Sequence, residues 1–227
     1  MSDDGFLRRN RAVMIAASIV LAVAVIVLAT IVLSRGGDGP DRQEAGPVST
    51  PRPNLTGSAE ELTRLLEAGT KVAFDGRYTV STNGPAGSLR LWSRPPMLRV
   101  DTESGSGAQA RRSSQFSLPS GAVACTRQGD GPWTCKSQPN LPLRSGLVPE
   151  AFVTQLSRSS VEARNARVGD RDARCFALSG NAGAADVCLT PEGIPLRFQA
   201  LSTRVEVVQL DRSPPPPEIF QPPAPVS

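Results

Sequence analysis

Phe74-Asp75-Gly76-Arg77-Tyr78-Thr79-Val80 sets an apolar or small residue at every second position. Leu89-Arg90-Leu91-Trp92-Ser93-Arg94-Pro95-Pro96-Met97-Leu98-Arg99-Val100-Asp101 repeats that period on both sides of a proline pair. A period of two belongs to half-buried strands, because successive side chains on a strand point to opposite faces. Asn83-Gly84, inside Thr82 to Gly87, is a strong turn signal between the first two strands. Pro95-Pro96 interrupts the second strand, and Leu98 and Val100 carry a third.

The pattern continues outward in both directions. Gln115 to Leu118 reads as a strand, after a loop from Glu103 to Ala108. Ala122–Thr126 and Trp133–Lys136 form a hairpin around Gly129-Asp130-Gly131-Pro132. Further strands are expected at Val161–Val168, Arg174–Leu178 and Ala185–Thr190. After the turn Thr190-Pro191-Glu192-Gly193 come Ile194–Phe198 and Thr203–Leu210. Two short helices interrupt this run. Ser58-Ala59-Glu60-Glu61 is a capping box ahead of Leu62, Leu65 and Leu66, with Gly69 as the stop. Pro149 to Leu156 reads as the second helix. The fold class is therefore α+β, mainly β. It is a large antiparallel sheet of nine or so strands with hairpin-sized connections, curved because so many strands do not stay flat. The short helices cover its apolar face and leave a hydrophobic cavity or groove.

Before the domain, Val13 to Leu33 is a 21-residue run without a charge. As a helix it spans roughly 31 Å, the thickness of a bilayer core. A cleaved signal peptide has a shorter apolar run and a small-residue cleavage site, which Ser34-Arg35-Gly36-Gly37 matches poorly. Arg8, Arg9 and Arg11 precede the run and outweigh Arg35 and Arg42 after it. The positive-inside rule puts the N-terminus in the cytoplasm and the rest outside the plasma membrane. The expected organisation is a cytoplasmic tail (1–12), a single-pass transmembrane helix (13–33), a Gly/Pro-rich linker (34–57), an extracytoplasmic domain (58–212) and a Pro-rich tail (213–227). That tail, with four consecutive prolines, reads as extended and outside any central strand.

Composition narrows the chemistry. The 227 residues carry a net charge of +4 and are 39% hydrophobic, with no histidine. Histidine bases and histidine metal ligands are excluded. Lys71 and Lys136 are the only lysines, and no basic helix with interleaved aromatics occurs, which argues against nucleic acid. The four cysteines suit an oxidising compartment. Four cysteines allow three pairings. Cys125–Cys135 and Cys175–Cys188 are favoured because each pair flanks a turn-rich segment that neighbouring strands could bracket. No Cys-x-x-Cys spacing supports zinc, and no cofactor is expected.

Phe74-Asp75-Gly76-Arg77-Tyr78, Leu91 to Asp101, Cys188-Leu189-Thr190-Pro191-Glu192-Gly193-Ile194-Pro195-Leu196-Arg197-Phe198 and Glu218 to Ala224 together resemble the LolA/LppX-like superfamily over residues 58–224. The resemblance implies a half-open antiparallel barrel closed by short helices, with a cavity for the acyl chains of lipids or lipoproteins. It also implies an actinobacterial variant in which a membrane helix replaces the usual lipid anchor. Related sensors that bind anti-sigma factors share the fold, so an envelope sensor or protein-interaction module with a filled core is the alternative. The alternating Phe74, Tyr78, Leu89, Leu91, Leu98, Val100, Phe116, Trp133, Phe152, Phe176, Leu196 and Phe198 read as core, with a subset as candidate cavity lining. The partners expected are a lipid or acylated protein, the membrane through residues 13–33, and an envelope protein. No nucleophile has a base beside it, so no enzymatic activity is expected. Gly105-Ser106-Gly107-Ala108-Gln109-Ala110 mimics a phosphate-binding loop, but a strand rather than a helix follows it. Asp170 and Asp172 flank Arg171 in a turn, the one possible carboxylate pair noted.

Overall fold

The computed structural model describes residues 57–83, 86–138, 147–148, 156, 159–180 and 183–227. They all belong to the second of two compact units, Pro53–Ser227. The membrane segment, the linker up to residue 56 and the second helix (149–156, apart from Leu156) lie outside the described residues, and Phe152 with them. Among the described residues no helix is long and apolar enough to cross a membrane.

Helix α1 (Gly57–Gly69) opens the domain and buries Ala59, Leu62, Leu65 and Leu66. Each leucine so buried contributes about 1.5–3 kcal/mol. The expected capping box does not form. The helix already includes Ser58, and Glu61 reaches Arg174 instead, accepting two hydrogen bonds of 2.9 and 2.8 Å. A bidentate guanidinium–carboxylate pair is stronger than a reach back to a backbone N–H. Gly69 does end the helix, as expected.

Eleven strands follow: β1 (Phe74–Ser81), β2 (Gly87–Arg94), β3 (Met97–Ser104), β4 (Arg111–Leu118), β5 (Gly121–Gln128), β6 (Thr134–Gln138), β7 (Ser160–Val168), β8 (Arg171–Gly180), β9 (Gly183–Leu189), β10 (Pro195–Ala200) and β11 (Thr203–Asp211). They make one antiparallel sheet in the order β6-β5-β4-β3-β2-β1-β11-β10-β9-β8-β7. The first six strands meander outward from the centre, and the last five meander back from the opposite edge. Pairing of β1 with β11 joins the halves, with a register shift at Arg77/Tyr78. Most connections are hairpin-sized, as expected. The link from β6 to β7 is the exception, because it joins the two edges of the sheet. Of its described residues, Leu147, Val148 and Leu156 are buried in the core.

Paired residues of antiparallel strands share a face, so the register tells which side each residue occupies. Helix α1 packs on the side that holds Val161, Phe176, Leu178, Val187 and Phe198. The same side of β1–β3 carries Phe74, Tyr78, Leu91, Leu98 and Val100. At β4 the apolar residues change sides. Leu98 pairs with Ser117 and Val100 with Gln115, whereas Phe116 pairs with Arg99 on the reverse face. Phe116, Val123, Cys125 and Cys135 form a separate cluster there.

The Pro-rich tail supplies cover for that reverse face. Pro217–Phe220 form a single 3-10 turn and Phe220 is buried. Arg94 donates to the Pro215 carbonyl at 2.9 Å and Arg99 to the Ile219 carbonyl at 2.6 Å. Ala224 packs against the Phe116 cluster, and Val226 makes a parallel bridge to Cys135 on β6. The sequence reading had the tail extended and outside any central strand. The tail does meet the sheet at its β6 edge, which tolerates proline-rich partners because only one side of the strand must be paired.

Candidate functional site

The reverse face of β2–β5 concentrates charge around one aromatic ring. Trp92 on β2 is buried between two guanidinium groups, Arg90 at 4.4 Å and Arg99 at 4.9 Å from its ring centroid. Each of those arginines has its own carboxylate. Arg90 donates to Asp75 at 3.0 and 2.6 Å, and Arg99 to Asp101 at 2.8 and 2.7 Å. The hydrogen bonds from Arg90 to Asp75 also hold the guanidinium more firmly protonated than usual, against the opposing effect of partial burial. Arg112 donates to Glu103 at 3.0 Å, one strand pair further on.

Between these pairs and Trp133 lies a partly open cavity of about 250 Å³. Ser88, Arg90, Trp92, Asp101, Glu103, Arg112, Ser114 and Trp133 are among the residues that line it. Arg127, which pairs in register with Arg112, stacks 5.1 Å from the Trp133 ring. Three buried polar atoms in this region have no hydrogen-bond partner among the described residues: Trp92 Nε1, Ser114 Oγ and Arg127 Nε. A buried polar group without a partner costs about 1–3 kcal/mol, so its presence calls for an explanation.

The twelve apolar residues read from the sequence do not share one surface. Phe74, Tyr78, Leu89, Leu91, Leu98, Val100 and Leu196 belong to one core cluster. Phe176 and Phe198 join the cluster under α1. Phe116 and Trp133 stand on the reverse face. The largest buried side chains fill space, and Tyr78 also donates to the Pro195 carbonyl at 2.9 Å. Burial, with a smaller push from Asp75, raises the phenol far above its ordinary range. A second, smaller cavity of about 90 Å³ lies among Gly69, Phe74, Ser93, Pro95, Leu98 and Pro195. Ser93, at its edge, is buried and donates to the Val72 carbonyl at 2.8 Å.

Both cysteine pairs form across neighbouring strands, Cys125–Cys135 between β5 and β6 and Cys175–Cys188 between β8 and β9. Asp186 lies close enough to Cys175 and Cys188 to suggest a metal site. The disulfide removes both thiolates that such a site needs. Asp186 is engaged instead by Arg164 and Arg197. Asp170 and Asp172 pair with Arg171 and Arg167, so they are not a carboxylate pair poised for acid–base work. The phosphate-loop mimic is a hairpin loop with one 3-10 turn, Gly107–Gln109. The local pattern of residues does not mark Trp92, Ser114 and Arg127 as one site. The available signal was an aromatic residue in the polar phase of its strand, with Arg90 and Arg94 on either side.

The fold and its two differently covered faces define an open, eleven-stranded antiparallel sheet domain. No protein-family model matches the chain, and a search of curated proteins finds no match. Solved structures do resemble it. The crystal structure of MucB matches with a TM-score of 0.53 and 19% identity, covering 75% of this chain and 64% of that one. The complex structure of Pseudomonas aeruginosa MucA/MucB matches with a TM-score of 0.53 and 19% identity, covering 74% of this chain and 61% of that one. The chain therefore spans under two thirds of the MucB chains, and the likeness is one of fold.

Proposed function

We propose that this chain is a non-catalytic binding module of the cell envelope that engages a protein partner. It stands on the outer side of the plasma membrane, tethered through residues 13–33 with its N-terminus in the cytoplasm. One observation carries the choice of protein over lipid. The α1-covered face is occupied by the chain's own side chains, with Leu62, Leu91, Phe176 and Leu196 each 0% exposed and Tyr78 1%. Side chains packed to that degree leave an acyl chain to displace them at the cost of the core. The fold likeness to MucB, solved in a complex with MucA, supports the same reading. The LolA/LppX-like resemblance extends it to an actinobacterial variant of that fold whose membrane helix replaces a lipid anchor. The absence of histidine, the commonest base for a serine or cysteine nucleophile, supports the non-catalytic reading.

Native mass spectrometry of the full chain, released from nanodiscs after expression in a bacterial host, tests the choice. A bare chain four hydrogens lighter than the reduced mass, for two disulfides, is the expected result. A chain retaining one acyl lipid that organic extraction removes would overturn it and make the module a lipid carrier.

A further inference from the structure

We infer that the cavity on the reverse face of β2–β5 is a binding site for a carboxylate group. The first argument is charge. The acidic residues along it are matched, Asp75 by Arg90, Asp101 by Arg99 and Glu103 by Arg112. Arg127 is left with a ring contact on Trp133 and no acidic partner among the described residues. Beside the cavity, across from its Arg112 wall, there is thus one positive charge without an acidic partner among the described residues, which a monoanion balances.

The second argument is the kind of atom left over. Trp92 Nε1 and Arg127 Nε only donate, and the Ser114 hydroxyl is free to donate. Ser114 is 1% exposed and Trp92 6%, so both are largely withdrawn from bulk solvent. Three donors without an acceptor fit a ligand that brings acceptor oxygens and negative charge. Trp92 and Ser114 line the cavity itself, and Arg127 stands beside its Arg112 wall. The third argument is size and shape. A space of about 250 Å³ bordered by Trp92 and Trp133 suits a group the size of one amino-acid side chain or small organic acid. Such a carboxylate arrives either on an acidic side chain of a partner protein or as a free small acid. The site stands independently of the reading proposed above.

Trp92 and Trp133 are the chain's two tryptophans, so emission excited at the red edge, where Tyr78 does not absorb, reports from this site. The full chain in a neutral maltoside detergent is titrated with N-acetyl-glutamate methylamide, with its glutamine counterpart and with butyrate. A saturable change in emission with at least one of the two carboxylates, and none with the glutamine compound, is expected. Saturation by the capped glutamate alone identifies a partner's side chain as the source, and saturation by butyrate a free acid. Arg127→Gln should weaken binding about tenfold and Ser114→Ala about threefold, while Arg127→Lys keeps part of the affinity. Far-UV circular dichroism confirms that each variant is folded. No saturation by either carboxylate up to ~50 mM, or an equal response to the glutamine compound, overturns the assignment. So does an unchanged affinity in folded Arg127→Gln. The comparison of the glutamate and glutamine compounds on the unmodified chain decides the matter even where a variant does not fold.

Discussion

Replacing Gly193 with alanine tests how α1 is held to the sheet. Gly193 ends the turn between β9 and β10 at φ +88°, where an L side chain is strained. A Cβ built there stands 1.9 Å from the Leu65 carbonyl oxygen and 2.7 Å from the Gly69 nitrogen, both backbone atoms of α1. The approach is reciprocal, since a Cβ on Gly69 would lie 2.2 Å from the Gly193 oxygen. Neither backbone has a flexible end that can move aside, so the helix must shift by about 1 Å or more. That shift loosens Leu62, Leu65 and Leu66, which are buried against the sheet. The left-handed conformation costs about 1–2 kcal/mol and forced overpacking about 1–3 kcal/mol more. A total of about 2–5 kcal/mol lowers the melting temperature of a domain this size by about 10 °C at the middle of that range. Gly169→Ala supplies the control. Gly169 has φ +60° and open space where a Cβ would go. It bears the conformational cost alone, about 1–2 kcal/mol. Thermal unfolding followed by far-UV circular dichroism compares the two variants in the oxidised chain. Equal losses in both would refute the close approach of α1 to this turn.

Two further outcomes follow from titratable groups. Tyr78 is the only tyrosine, and its folded phenol lies above the ordinary value near 10.0, so the folded chain gains no stability from ionising it. Above that ordinary value the unfolded chain ionises and the folded one does not, so stability declines as pH rises further. Phenolate absorbance at 295 nm should therefore appear together with unfolding, and an ordinary titration of the folded chain would contradict the burial. Glu61 shows the opposite sign, because the hydrogen bonds from Arg174 hold its carboxyl below the ordinary glutamate value. The stabilisation from this pair is present above that value and is lost as pH falls through the depressed one. Glu61→Gln should cost under about 1 kcal/mol at pH 7, since both side chains remain partly solvated, and should flatten the acid limb of a urea-midpoint profile. An unaltered acid limb would remove the pair as its cause.

Much of the sheet was legible in the linear order of residues. Alternation located β1, β2 and β3, the Thr190–Gly193 turn was read correctly, and the cysteine spacings gave both cross-strand disulfides. Local chemistry sufficed there, because a period of two, a turn glycine and a short cysteine separation each act over a few residues. The candidate site was not legible. Phe116 reads as one more alternating core residue until the register pairs it with Arg99 rather than with Val100, and nothing local marks Trp92 as its neighbour on the reverse face.

The sequence by itself determined that the chain makes many short strands and one helix with a leucine face at its start, and it favoured, among three pairings, the two disulfides that form across hairpins. Those outcomes rest on backbone sterics, side-chain alternation and loop length. Only the tertiary structure decided that β1 meets β11, that the apolar side changes at β4, and that the Pro-rich tail returns to the β6 edge. The first joins residues more than a hundred positions apart, and the last residues about ninety apart. Such choices are settled by which faces can be buried together, and no local pattern encodes that.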